Sequence, residues 1–312
     1  MKLSFVIPAL NEEDSLEQLY EEIITNSSPH DYEIIFIDDG STDKTFAIMT
    51  QLSDSDSKVK VIKFRKNFGK AYALQIGFEN ATGEVVFTMD ADLQDNPIEI
   101  KSFLEKIEEG YDLVTGWKVK RKDPLSKRLP SKFFNWVTSR TFKLKLRDYN
   151  CGFKAYRLEL IKELDLYGEM HRYVPALAHS KGFKVGQIPV HHRARKHGKS
   201  KYGMERFLRG FLDLLTVKLI TKFNRSPLYL FGGIGSIFTI IGTIIGLYLS
   251  IMKYMRGMPL YNRPALFLAI LLILIGLQFF SIGLLGELIV SQTRKHTKQN
   301  VISIAEVRNL DE

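Results

Sequence analysis

The sequence predicts an α/β fold with a Rossmann-like, mostly parallel sheet, followed by amphipathic interfacial helices and two transmembrane helices. Three observations carry this expectation. Short β-branched runs alternate with helix-like stretches through the first half of the 312 residues. A basic amphipathic segment follows. Two uncharged apolar runs, residues 228–252 and 265–286, come next, and each reaches the roughly 20 residues that a helix needs to cross a bilayer.

In chain order, strands are expected over residues 3–7, 33–37, 59–64, 85–89 and 112–115, several of them apolar enough to be buried on both faces. Helices are expected between them, over 15–25, 44–52, 70–80 and 98–109. After Gly116 the pattern loosens into a basic loop over 118–130 and a helix over 133–142. Added strands over 152–156 and 184–190 then flank a helix near 173–180. Phe207, Phe211, Leu214, Leu215 and Phe223 form an apolar helical face flanked by Arg206, Arg209, Lys218, Lys222 and Arg225, the character of a helix lying in a membrane interface. The chain therefore divides into an α/β domain (1–165), a basic amphipathic segment (166–226), a two-span hairpin (227–290) and a tail (291–312).

The net charge of +9 is concentrated beside the apolar runs, which favours lipid or phosphate contact over nucleic acid, and no nucleic-acid module is recognisable. The single cysteine, Cys151, excludes an intramolecular disulfide and suits a reducing cytosol. The first apolar run is too short for a signal peptide and reads as a strand. The connection 253–263 is short, so both ends of the hairpin lie on one side of the membrane. The balance of Lys253, Arg256 and Arg263 against Lys222, Arg225, Arg294, Lys295 and Lys298 favours a cytosolic head. Gly242 and Gly246 form a small-residue motif that permits close helix approach, and a homo-oligomer is expected.

Three expected strands end in polar loops: Pro8-Ala9-Leu10-Asn11-Glu12, Asp38-Asp39-Gly40-Ser41 and Asp90-Ala91-Asp92-Leu93-Gln94-Asp95. In open α/β sheets, ligands bind beyond the carboxyl ends of the strands. In extended backbone Asp90 and Asp92 project to one side, where both carboxylates can face one cation, and Gln94 continues the alternation. Oxygen ligands of this kind suit Mg²⁺ or Mn²⁺ bridged to phosphate. The alternative is an acidic turn that caps the helix after Asn96-Pro97. His191, His192 and His197 lack a metal-binding spacing.

These motifs, together with Arg65-Lys66-Asn67-Phe68-Gly69-Lys70, Gly152-Phe153-Lys154-Ala155-Tyr156-Arg157 and Arg195-Lys196-His197-Gly198-Lys199-Ser200-Lys201-Tyr202, resemble family 2 glycosyltransferases of the GT-A fold. Within that family the chain is similar to polyprenyl-phosphate glycosyltransferases, such as dolichol-phosphate mannose synthases and bactoprenol glucosyltransferases. The resemblance implies that Pro8, Ala9, Asn11 and Glu12 frame the nucleotide, with Asp39 near the base or ribose and Lys70 and Asp90 in the nucleotide-sugar site. Asp90, Asp92 and Gln94 would hold Mg²⁺ or Mn²⁺ on the diphosphate.

The implied acceptor, a polyprenyl phosphate, has a second pKa of roughly 6 and needs cations rather than a strong base. The candidates for that cationic role are Arg121, Lys127, Arg128, Arg193, Arg195 and Lys201, with Ser131 as a hydrogen-bond donor. Gly116-Trp117-Lys118, where relatives often carry arginine, leaves the role of Arg121 open. Asp148 is the remaining acidic candidate, and Asp92, Asp148, Arg128 and Arg195 form the expected catalytic set. The implied reaction is an inverting transfer of one sugar, with a UDP-hexose preferred as donor and undecaprenyl phosphate as acceptor. It would run at the cytosolic face of a bacterial inner membrane, in a multi-pass protein. A processive polysaccharide synthase is the nearest rival, but the chain lacks the Gln-x-x-Arg-Trp motif those enzymes carry. A non-catalytic membrane scaffold is the other.

Overall fold

The computed structural model describes residues 1–119, 135–191, 193, 216–218, 227–257, 259 and 263–301, with side chains up to residue 289. Contacts divide the chain into two units, the first ending at Val217.

Among the described residues, seven strands build the first unit: β1 (Lys2–Ala9), β2 (Asp31–Asp38), β3 (Val59–Lys63), β4 (Val85–Thr88), β5 (Leu113–Lys118), β6 (Lys154–Arg157) and β7 (Val185–Val190). They form one sheet in the order β3-β2-β1-β4-β6-β5-β7. Phe5, Val6 and Ile7, like Ile34 to Ile37, are buried without a break, because helices cover both faces of a parallel sheet. Helices α1 (Leu16–Ser27), α2 (Thr45–Ser55), α3 (Lys70–Asn80) and α4 (Ile100–Glu108) supply that cover. In α4 the buried positions Ile100, Phe103, Leu104 and Ile107 recur at helical spacing and fix the face turned to the sheet. Phe87, Phe103 and Phe153 pack ring on ring there, with centroids 4.4 to 6.2 Å apart.

The expected strand–helix alternation is present, with ends shifted by one to three residues. Two features go beyond what the sequence predicts. β6 runs antiparallel to both neighbours, inserted between β4 and β5. Beyond the helix over 135–142 (α5), a short α6 (Leu158–Lys162) and a 3₁₀ turn (Met170–Arg172) precede α7 (Val174–Ser180). Elements of five and three residues are too short to show a period.

β1 pairs with β2 on one side and β4 on the other, both parallel. The order of winding reverses between those neighbours, so their carboxyl ends open a crevice. A buried carboxylate fastens the opposite end of the sheet. Glu33 accepts from Ser4 Oγ at 2.6 Å, from Thr82 N at 2.7 Å and from Lys60 Nζ at 2.8 Å. Burial raises its pKa, but the Lys60 ammonium and the hydroxyl and amide donors outweigh burial and hold it at about 2. A carboxyl depressed in the fold stabilises above its ordinary pKa of 4.5, and that contribution is lost as pH falls through about 2. Glu33→Gln is therefore expected to cost on the order of 2–3 kcal/mol at pH 7. Thermal unfolding of both proteins from pH 7 down to pH 3 should show the gap narrowing in acid.

The second unit contains α8 (Pro227–Arg256) and α9 (Pro264–Val301). The 30 residues of α8 extend about 45 Å at 1.5 Å per residue, longer than a hydrocarbon core of about 30 Å. Only 17% and 11% of their apolar stretches are buried, so these are not core helices of a soluble domain. Small residues recur every seven positions along their contact: Gly235 and Gly242 on α8, and Ala269, Gly276 and Gly283 on α9. A Cβ on Gly235 would stand 2.6 Å from the Gly276 carbonyl oxygen, and one on Gly242 would stand 2.7 Å from that of Ala269. Gly246, the second half of the expected motif, has nothing within 4 Å, so the motif serves this hairpin through Gly242 alone. Gly276→Val should destabilise the hairpin by about 1–3 kcal/mol through overpacking, whereas Gly246→Val should not. Thermal melts of the two variants in one detergent separate these outcomes.

Candidate active site

The first two polar loops are knitted together at the carboxyl ends of β1 and β2. Asn11 adopts a left-handed conformation, φ 54°, which asparagine tolerates better than most residues. It accepts from Thr42 N at 2.8 Å, while its own amide donates to Ser41 Oγ at 3.0 Å. Glu12 N donates to Thr45 Oγ1 at 2.8 Å, and Lys44 N to Glu13 at 2.9 Å. Gly40 is required where it stands: its φ is +79°, and a Cβ would lie 2.7 Å from the Asn67 amide nitrogen.

Asp39 is buried and accepts from Phe68 N at 2.7 Å and Gly69 N at 3.0 Å, so it anchors the turn that starts α3. Burial raises its pKa against the opposing pull of those two amides. Pro8, Ala9, Asn11, Glu12 and Asp39 thus share one sheet edge.

The third loop leaves β4. Asp90 forms an ion pair with Lys70, the first residue of α3. Asp92 is nearly buried and accepts from Gln94 N at 3.2 Å, a local turn that Leu93 completes with φ 58°. Asp95, unassigned from sequence, is 5% exposed and accepts from Asp90 N at 3.3 Å. The three carboxylates crowd one another. Burial, and then the charges of Asp90 and Asp92, push the Asp95 pKa up to about 7. Asp90 itself is held at about 2, because the Lys70 ammonium outweighs the effect of burial.

A small cavity opens beside Asp90, lined among others by Lys70, Asn150, Gly152, Lys154 and His171. Lys154 is 4% exposed and donates to the Cys151 carbonyl oxygen. Burial draws its pKa down to about 8. The sequence signal for this wall of the cavity is the motif Gly152-Phe153-Lys154-Ala155-Tyr156-Arg157, in which Lys154 has no role assigned from sequence. Gly152 matters here because a Cβ would lie 2.7 Å from Asp90 Oδ2. Asp148, 2% exposed, accepts from Asn150 N at 3.0 Å and so shapes the approach to β6. Cys151 is buried, with a thiol pushed by burial up to about 12; it packs and has no nucleophilic character.

Of the cations proposed for the acceptor, Arg193 is described, and it pairs with Glu22 at 2.7 Å. Arg121, Lys127, Arg128, Ser131, Arg195 and Lys201 lie outside the described residues, as do His192, His197 and most of the amphipathic helix expected near 207–223.

Among the described residues no three His, Cys, Asp or Glu side chains converge into a metal cage. A Mg²⁺-type ion that arrives on a diphosphate needs only one or two carboxylates and completes its shell with phosphate and water. Asp90 and Asp92, crowded by Asp95 and balanced by Lys70, fit a site of that kind.

The family model described as "Glycosyl transferase family 2" matches residues 4–165. Along 93% of its length the chain is 36% identical to a dodecaprenyl-phosphate galacturonate synthase of Rhizobium johnstonii, covering 88% of that protein. It is 35% identical over 92% of its length to an undecaprenyl-phosphate 4-deoxy-4-formamido-L-arabinose transferase of Klebsiella pneumoniae, again covering 88%. Among solved structures it resembles glucosyl-3-phosphoglycerate synthase of Mycobacterium tuberculosis, crystallised with Mn²⁺, UDP and glucosyl-3-phosphoglycerate. That match has a TM-score of 0.56 at 19% identity, over 70% of this chain and 79% of the other. At that identity the likeness speaks for the GT-A fold. Sequence and fold agree, and the chain belongs to glycosyltransferase family 2, in the branch of the polyprenyl-phosphate sugar transferases.

Proposed function

We propose that the protein moves a single sugar from a nucleoside diphosphate, UDP-hexose preferred, onto a polyprenyl phosphate, with inversion at the anomeric carbon. The observation that carries this reading is the crowded carboxylate corner at the end of β4, paired with Lys70 and opening onto a polar cavity. Named relatives that use dodecaprenyl and undecaprenyl phosphate support the acceptor class. The two apolar helices support a membrane address, which we assign to the bacterial inner membrane with the first unit cytosolic. Residues 1–165 serve as the catalytic domain, 166–226 as the acceptor and interface segment, 227–290 as the anchor and 291–312 as a cytosolic tail.

In this reading the β1 and β2 loops hold the nucleotide through Pro8, Ala9, Asn11, Glu12 and Asp39. Asp90, Asp92 and the Gln94 side chain would hold Mg²⁺ or Mn²⁺. The bound cation supplies positive charge against the leaving diphosphate. Lys70 keeps Asp90 ionised and adds a second positive charge beside the diphosphate. A phosphate oxygen of the acceptor attacks the anomeric carbon as the bond to the diphosphate oxygen breaks. The acceptor phosphate is already largely ionised, with a second pKa of roughly 6, so no strong base is required. Asp148 orients the acceptor side, and Arg121, Lys127, Arg128, Ser131, Arg195 and Lys201 receive its phosphate.

Purified protein, undecaprenyl phosphate and a panel of UDP- and GDP-sugars, with Mg²⁺ or Mn²⁺, test the proposal. The expected product is an organic-soluble lipid one sugar heavier than its precursor. A water-soluble polymer would establish the processive synthase instead, and nucleotide binding without turnover the scaffold.

A further inference from the structure

We infer that Arg193 is a positioning residue for the loop that holds the donor and its metal, and is not one of the cations that meet the acceptor phosphate. The inference rests on the assignment of the donor site to Asp90, Asp92 and Gln94.

Among the described residues, the contacts of Arg193 point toward that loop or its support. Its backbone amide donates to the Gln94 carbonyl oxygen at 2.9 Å. One arm of the guanidinium, Nη1, donates to both carboxylate oxygens of Glu22 on α1, at 2.9 and 2.7 Å. The other arm, Nη2, donates to Asn96 Oδ1 at 2.6 Å. That same oxygen caps the 3₁₀ turn by accepting from Ile98 N at 3.3 Å. Two residues earlier, at the end of β7, His191 N and Nδ1 lie 3.3 and 2.9 Å from Glu99 Oε1. The segment is therefore tied to α1, to residues 94 and 96, and to the entrance of α4.

The loop needs such ties. Leu93 is held at φ 58°, a conformation that few apolar residues adopt unaided. The turn around it has local support from the Asp92–Gln94 bond, at 3.2 Å. Arg193 closes the far side through two points, Gln94 and Asn96, that flank Asp95. Charge-assisted, fork-shaped bonding of this kind is both stronger and more directional than a lone ammonium contact. To meet a phosphate instead, the guanidinium would have to release Glu22 or Asn96.

The two roles make opposite predictions for Arg193→Lys, which keeps the charge and loses the fork. If Arg193 positions the donor loop, the half-saturating Mn²⁺ concentration and the KM for nucleotide sugar should rise roughly tenfold, as for other residues that support metal ligands. The KM for polyprenyl phosphate should stay unchanged. Calorimetric binding of UDP or GDP with Mn²⁺ should weaken to match. The backbone amides of residues 93–96 and 98 should exchange faster with deuterium in protein free of nucleotide and metal. Glu22→Gln, which leaves Arg193 in place, should move the same parameters by a smaller factor.

A raised KM for polyprenyl phosphate with unaltered nucleotide binding would overturn the inference and return Arg193 to the acceptor. Unaltered exchange and unaltered donor constants in Arg193→Lys would overturn it as well. A wild-type enzyme indifferent to chelators would refute the metal assignment alone, because nucleotide binding and exchange still judge Arg193.

Discussion

Asp92→Asn is expected to lower sugar transfer by two decades or more, the scale on which enzymes lose rate when a preorganised charge at the leaving group is removed. The substitution isolates charge from fold. Asparagine keeps an oxygen that can accept the Gln94 amide, now 3.2 Å from Asp92 Oδ1, so the turn at Leu93 retains its local bond. What disappears is the negative charge that, with Asp90, would draw a divalent cation to the end of β4 in the proposed reading. Radiolabelled sugar extracted into the organic phase measures the loss. Turnover near the wild-type level would remove Asp92 from the donor site and leave the cluster as a structural turn.

Gly152→Ala should have the second largest effect, about one to two decades, through displacement rather than lost chemistry. The added methyl would stand 2.7 Å from Asp90 Oδ2 and 2.9 Å from Oδ1, and Asp90 is the smaller obstacle to move. Backing away would strain its pairing with Lys70 and turn its oxygens from the position proposed for the cation. The Gly152 carbonyl, which accepts from Thr88 Oγ1 at 2.8 Å, holds the backbone against an easier retreat. A double-mutant cycle tests the route: in an Asp90→Ala background the methyl has nothing to displace, so its penalty should vanish. Persistence of the full penalty would place the defect elsewhere.

Much of the sheet was legible in the sequence because its central strands are continuous apolar runs. Phe5–Ile7, Ile34–Ile37 and Val85–Phe87 carry their burial in their composition. Helix α3 was legible from Lys70 to Asn80, with Gly69 marking its start at φ 95°. The insertion of β6 between β4 and β5 was not, because pairing partners distant along the chain leave no local period.

In the site, residue types told what chemistry was available but not where each side chain would turn. Asp95 looks like one more loop acid, and its burial depends on the left-handed turn at Leu93. Arg193 looks like its basic neighbours, and only folding brings Glu22 and Asn96 to it. Lys154 hides in a strand for the same reason: neighbours that neutralise or isolate a charge come from other parts of the chain.

The reversed direction of β6 has a consequence for how the pocket can move. Thr88 faces Lys154 in the sheet register, so outgoing β4 and incoming β6 meet shoulder to shoulder beside Asp90. Sliding one half of the sheet along the other would shear that seam and pull Gly152 off the carboxylate it abuts. The corner is accordingly a fixed anvil, built from paired strands rather than from a hinge.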